Sequence, residues 1–282
     1  MNTETLLVCE RVAIELAIAA GRMMSDAAGK RKEVREKESA IDLVTETDIA
    51  VERYLFGELR RQFPAHRFIG EEGTNGDGGG GQQSLTAEPT WIVDPIDGTT
   101  NFVHNFPFTC VSIGLTVGKE PVLGVVYCPF IDKLYTARKG MGATCNGRPI
   151  RVPPLSASRR LADALLITEL GSHKDLDKQQ AVLRNIEAIG WRSHGVRSFG
   201  STAIQLCYLA EGYGDAFWHF GMHVWDIVAA GLVLIEAGGV VWDTRGGPIN
   251  WLNRRVLAAT SEQLAREVSA ALTDHLEYEP DK

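Results

Sequence analysis

Between residues 4 and 28 apolar side chains recur at helical spacing (Leu7, Val8, Val12, Leu16, Ala19, Ala20, Met23), and Gly29 supplies a stop. The charged residues 30–38 predict a solvated loop or edge hairpin. Residues 42–48 then lead into a second amphipathic helix carried by Ile49, Val51, Tyr54, Leu55, Leu59 and Phe63, with Thr47 or Asp48 as its cap. A short strand at 67–70 delivers Glu71 and Glu72 into a run containing Gly76, Gly78, Gly79, Gly80 and Gly81. That run lacks the strand, spacing and lysine of a phosphate-binding P-loop and is expected to be a mobile loop. Strand patterns follow over 109–117, 122–127 and 133–138, and Asn146-Gly147 marks a hairpin turn before 150–152, which together predict an antiparallel sheet. The second half alternates strands (164–168, 192–196, 215–219) with helices (178–189, 202–210), an α/β layered pattern. Residues 225–239 are apolar nearly all round and predict a buried helix ended by Gly238-Gly239, while a last helix at 261–276 is expected to pack on the surface. With no short-period repeat and no separating linker, residues 1–282 are expected to form a single domain.

The candidate chemistry sits in Trp91-Ile92-Val93-Asp94-Pro95-Ile96-Asp97-Gly98-Thr99-Thr100-Asn101. Three strand-forming residues run into Asp94-Pro95, so a buried strand is expected to end at the first carboxylate, where proline stops the ladder. A turn from Asp94 to Asp97 brings both carboxylates to one side, and Gly98-Thr99-Thr100 reads as a tight turn entering a helix. Two readings stand: an ordinary strand-to-helix turn with Asp94 capping and Asp97 solvated, or a metal-assisted phosphate site. Carboxylates ~4 Å apart repel by roughly 4 kcal/mol at an effective dielectric near 20, which a divalent cation would relieve. Free N–H groups at the helix start would attract phosphate. In Trp225-Asp226-Ile227 the acid falls in the first helical turn, where capping and ligation are both open.

Composition narrows the class. A net charge of −7 with no basic run longer than Lys30-Arg31-Lys32 argues against a nucleic-acid surface. Five scattered cysteines without a C-x-x-C pair read as reduced thiols. No window reaches ~18 uninterrupted apolar residues and no leader pattern opens the chain, so no membrane association and a cytoplasmic protein are expected.

Gly70-Glu71-Glu72, the stretch from Trp91 to His104 and Trp225-Asp226-Ile227-Val228-Ala229-Ala230-Gly231 together resemble the inositol monophosphatases, within the lithium-sensitive, Mg2+-dependent phosphatase superfamily. Connecting segments such as Tyr135 to Gly140 and Thr168 to Ser172 match as well, and the likeness is greatest to animal-type enzymes. The resemblance implies an αβαβα layered fold of the fructose-1,6-bisphosphatase type, a homodimer, and hydrolysis of a small phosphorylated polyol by water without a phosphoenzyme. It implies that Glu71, Asp94, the Ile96 carbonyl, Asp97 and Asp226 hold two or three Mg2+ ions, with Asp94 bridging two. Glu71 and Thr99 would position the attacking water, Asp48 would orient Thr99, and backbone N–H groups of Gly98 and Thr99 would bind phosphate. Lys37 occupies a family position facing the active-site loop, although a solvated lysine fits equally. An all-oxygen ligand set favours Mg2+ over Zn2+ independently of the resemblance.

Substrate contacts of the family map onto Ser172, Gly200, Ser201, Thr202 and the residue seven before Asp226. The best-known inositol enzymes have glutamate there; this chain has His219. His219 either lines the polyol pocket or simply ends its strand. Alternative substrates are a sugar phosphate, histidinol phosphate or a 3'-phosphonucleotide. A non-catalytic scaffold is disfavoured because Glu71, Asp94, Asp97, Thr99 and Asp226 are all present.

Overall fold

The computed structural model describes residues 1–30, 34–36, 43–73, 85–171 and 176–280. Helix α1 (Thr3–Ala27) is followed by a hairpin, β1 (Val34–Glu36) and β2 (Leu43–Thr45), and by α2 (Glu46–Gln62). The next strands build a seven-stranded sheet in chain order: β3 (Arg67–Gly70), β4 (Thr90–Asp97), β5 (Cys110–Val117), β6 (Glu120–Cys128), β7 (Lys133–Arg138), β8 (Ala143–Cys145) and β9 (Arg148–Ile150). β3 and β4 run parallel and the remaining pairs antiparallel. The short helix α3 (Thr99–Val103) sits between β4 and β5, and α4 (Pro154–Ser158) follows the sheet.

The second half comprises β10 (Leu165–Thr168), α5 (Leu176–Gly190), β11 (Gly195–Arg197), α6 (Thr202–Glu211), β12 (Ala216–Phe220), α7 (Val224–Glu236), β13 (Val240–Trp242), β14 (Arg255–Ala259) and α8 (Glu262–Ala271). Its five-stranded sheet is ordered β11-β10-β12-β14-β13, parallel between the first three and antiparallel beyond.

Period-two alternation within the strands builds the layers. Trp91, Val93, Val111, Ile113, Leu115, Leu123 and Val125 face α1 and α2 in one core. Ile92, Cys110, Val126 and Cys128 face the other way, onto α6 and α7, which also receive Ile167, Phe217, Val256 and Ala258 from the five-stranded sheet. The opposite face of that sheet offers Leu166, Trp218, Phe220 and Leu257 to α5 and α8. The order is helix, sheet, helix, sheet, helix, the layering that the resemblance implies. No helix among the described residues is long and apolar enough to cross a membrane.

Glycines set the depth of α7. Gly114 and Gly124 pair directly across β5 and β6. A Cβ on Gly124 would lie 2.3 Å from the Ala229 carbonyl oxygen, and one on Gly114 would lie 2.8 Å from Val228. Helix and sheet meet here at backbone distance, two to three residues beyond Asp226. Ser112, opposite Asp94 in the β4–β5 register, donates its hydroxyl to the Trp225 carbonyl at 3.2 Å.

Several expectations need correction. The strand at 91–93 does not end at Asp94: β4 reaches Asp97 because a register shift between Asp94 and Asp97 accommodates Pro95, and Asp97 pairs again with Cys110. The cap of α2 is Thr45, whose hydroxyl oxygen accepts from the N–H groups of Thr47 and Asp48, so neither of those residues is the cap. The strand expected at 150–152 is Arg148–Ile150, directly after the Asn146-Gly147 turn. The last helix stops at Ala271 rather than 276, and Leu264, Ala265 and Val268 bury one face of it in the third core. The strands Val240–Trp242 and Arg255–Ala259 were not predicted. The glycine-rich run at 76–81 lies outside the described residues.

Candidate metal-assisted active site

Each functional side chain leaves a defined element. Asp94 and Asp97 come from the irregular end of β4, Glu71 from the residue after β3, Thr99 from the start of α3, Asp48 from the first turn of α2 and Asp226 from the first turn of α7. Asp94, Asp97 and Asp226 each bring a carboxylate oxygen within 4.8 Å of the others. The first two are buried and Asp226 is partly exposed.

The backbone aims these acids through hydrogen bonds. Asp94 Oδ1 accepts from its own turn, the Ile96 N–H at 2.9 Å. Asp97 Oδ2 accepts from the Ser201 hydroxyl at 2.6 Å and the Ala203 N–H at 2.7 Å, so the N-terminus of α6 holds it from across the molecule. The Cys110 thiol lies 3.8 Å from the same oxygen. Asp226 Oδ2 accepts from the His223 N–H at 2.7 Å, the reciprocal half of a helix cap.

Crowding raises the proton affinity of the whole group. Burial first, then the charges of Glu71, Asp97 and Asp226, hold Asp94 well above the ordinary carboxylate range. Burial lifts Asp97 to about 6 despite the lowering effect of Ser201 and Ala203. Burial and the Asp97 charge lift Asp226 to about 7. Buried acids that raise one another in this way are a costly arrangement unless a cation joins them. The donor set is oxygen only, which fits a hard divalent ion.

The Thr99 hydroxyl lies 3.3 Å from Asp48 Oδ1 and 3.2 Å from the Ile96 carbonyl oxygen. Its one proton serves those acceptors, which leaves the oxygen as an acceptor toward the carboxylate cluster. Asp48 is fully buried, and its other oxygen accepts from the Thr45 N–H at 3.0 Å and from the Thr45 hydroxyl. Gly98 is left-handed with φ +87°, and a Cβ there would lie 2.9 Å from the Gly200 carbonyl oxygen and 3.0 Å from that of Phe108. Only glycine satisfies both the conformation and the close approach.

Gly200, Ser201 and Thr202 lie beside this turn. The Ser201 side chain is buried and engaged with Asp97, and Thr202 opens α6. His219, on β12, is only 5% exposed, and its Cε1 lies 3.3 Å from where a Cβ of Gly171 would be. It therefore does more than end a strand: it packs against the loop that follows β10. Lys37 and Ser172 lie outside the described residues.

Sequence reasoning missed the supports. Glu169 Oε1 accepts from the N–H groups of Phe199 and Gly200, both at 2.7 Å, and the Asn101 amide donates to the carbonyls of Phe108 and Phe199. Together they fix the Gly200 turn against Gly98. Glu52, fully buried on α2, accepts from the Glu72 N–H at 2.8 Å. A charged residue in the apolar face formed by Val51, Leu55 and Leu59 was the available signal.

The sequence profile of the inositol monophosphatase family matches residues 6–277. Inositol monophosphatase 2 of Rattus norvegicus is 46% identical over 265 residues, covering 94% of this chain and 89% of that protein. Inositol monophosphatase 1 of Homo sapiens is 44% identical over 262 residues, covering 93% and 92%. Among solved structures, extragenic suppressor protein suhB from Bartonella henselae superposes with a TM-score of 0.84 at 34% identity, covering 95% of this chain and 100% of that one. Inositol monophosphatase from Anabaena gives a TM-score of 0.79 at 33% identity, covering 97% and 98%. Sequence, layering and the matched length agree, and the chain belongs to the inositol monophosphatase family.

Proposed function

We propose that this protein hydrolyses a small phosphate monoester, myo-inositol monophosphate, to the free polyol and inorganic phosphate, with Mg2+ as cofactor. The observation that carries the reading is the convergence of three buried or half-buried aspartates beside Thr99 and Asp48, in a chain about as similar to named inositol monophosphatases as those comparisons give. Glu71, Asp94, Asp97, Asp226 and the Ile96 carbonyl would hold two or three Mg2+ ions. The bound metal supplies a water of lowered pKa and a counter-charge for the leaving alkoxide.

The chain's own groups do the rest. Thr99, its proton directed to Asp48 and Ile96, accepts a hydrogen bond from the attacking water and orients it, and Glu71 aligns it from the other side. The Gly98 and Thr99 N–H groups hold the phosphate. Inhibition by Li+, a homodimer and a cytoplasmic location belong to the same reading, as does a single catalytic unit, supported by a family match over nearly the whole chain and by acids drawn from both halves.

His219 favours a second reading within the class, a broader or shifted polyol preference. Neutral imidazole offers one acceptor and one donor where a carboxylate offers only acceptors, so a site built on hydroxyl pairing discriminates less. The ratio of kcat/KM for inositol 1-phosphate to that for glycerol 2-phosphate is expected to rise in His219→Glu. An unchanged ratio would leave His219 as a packing residue. A panel adding a sugar phosphate, histidinol phosphate and a 3'-phosphonucleotide tests the substrate class, and preference for one of these would replace inositol phosphate in the reading.

A further inference from the structure

We propose that Glu52 is a positioning residue for Glu71, so that α2 holds two arms of the active site with two buried carboxylates one helical turn apart. Asp48 and Glu52 are spaced i and i+4 and share a face of α2. Asp48 reaches Thr99 at 3.3 Å. Glu52 Oε2 reaches the other arm, accepting from the Glu72 N–H at 2.8 Å.

The same oxygen also packs against the residue on the other side of Glu71. A Cβ on Gly70 would lie 2.4 Å from Glu52 Oε2 and 2.7 Å from the Phe56 ring, so glycine is what lets β3 come down onto the helix. Glu71 is thus held between Gly70, which rests on Glu52, and Glu72, which is hydrogen-bonded to it. A carboxylate accepts a backbone N–H roughly twice as strongly as a neutral group does. With its acceptor fully buried, that bond fixes where the chain leaves β3, and with it the placement of Glu71.

The inference builds on the reading above, in that Glu71 acts on the metal and the water. It is tested with Glu52→Leu, which removes the acceptor at similar volume, Glu52→Gln, which keeps an acceptor oxygen, and Gly70→Ala, which pushes on the same oxygen from β3. Calorimetry of Mg2+ binding to the metal-free proteins is measured beside kcat, KM and Tm. Removing a support of a metal-binding group costs about 10- to 100-fold in metal affinity, and Glu52→Leu and Gly70→Ala are expected to weaken Mg2+ at least about tenfold. Their kcat falls at saturating Mg2+ while KM stays within about twofold, and Glu52→Gln recovers most of both losses. Parent-like Mg2+ affinity in Glu52→Leu, or equal impairment in the Leu and Gln variants, would overturn the proposal. If Glu52→Leu does not fold, parent-like Mg2+ affinity in Gly70→Ala overturns it instead. A parent protein that binds Mg2+ but releases no phosphate overturns the phosphatase reading, and the calorimetry still decides on Glu52.

Discussion

Asp94→Asn is expected to lower kcat/KM at least about a thousandfold at saturating Mg2+, some 4 kcal/mol of transition-state stabilisation, while the fold persists. The loss follows from position: Asp94 lies among Glu71, Asp97 and Asp226, and each of them raises its proton affinity. A carboxylate at the centre of the cluster is the one whose loss removes most of the charge that would hold a divalent cation there. The fold should persist because the asparagine side-chain oxygen can still accept the Ile96 N–H, now at 2.9 Å from Asp94 Oδ1, and Ser112 opposite bonds to Trp225 instead. In the metal-free state the substitution removes a repelled charge, so Tm should hold or rise. Phosphate release across a Mg2+ titration, with Tm measured in EDTA, checks both halves. Turnover comparable to the parent at saturating Mg2+ would remove Asp94 from the centre of the site.

The second large effect concerns stability. Asp97 at about 6 and Asp226 at about 7 both stand above the unfolded carboxylate value of about 3.9. A group whose folded pKa is raised stabilises the fold in its protonated form. That contribution is complete below about pH 4 and is lost as pH rises through the folded values, so in the metal-free protein it declines from about pH 4 to about pH 7. For Asp226 alone this difference from the unfolded value corresponds to roughly 4 kcal/mol. A divalent cation binds the deprotonated cluster and stabilises the fold by mass action. The Tm difference between Mg2+ and EDTA should therefore widen steadily from about pH 5 to about pH 8. A difference that stays constant across that range would separate the acid cluster from metal binding.

Much of this was legible from patterns that stay local. The apolar residues of 109–117 identify β5 because Val111, Ile113 and Leu115 meet one core and Cys110 the other, and the all-round apolar run after Trp225 identifies a helix buried between two sheets. Asp94, Asp97 and Asp226 stood out because acids in apolar runs need a reason. What stayed hidden depends on partners distant in sequence. Arg255–Ala259 is a short apolar run whose strand character comes from pairing with β12 and β13 on either side. Pro95 looked like a terminator because a bulge that lets Asp97 pair again with Cys110 leaves no mark in the sequence. Thr45 was passed over as cap in favour of two residues whose own N–H groups bond to it. Glu169, which holds Gly200 from the loop after β10, shows its role only through that distant partner.

The acids converging from β4 and α7 are proposed to make a Mg2+-dependent phosphomonoesterase. Inorganic phosphate released from myo-inositol 1-phosphate by the purified protein, first in EDTA and then with Mg2+ added, tests it most directly. No release is expected in EDTA, sustained turnover is expected with Mg2+, and that turnover is lost in Asp94→Asn. Absence of Mg2+-dependent release from inositol 1-phosphate and from every other monoester of the panel would contradict it.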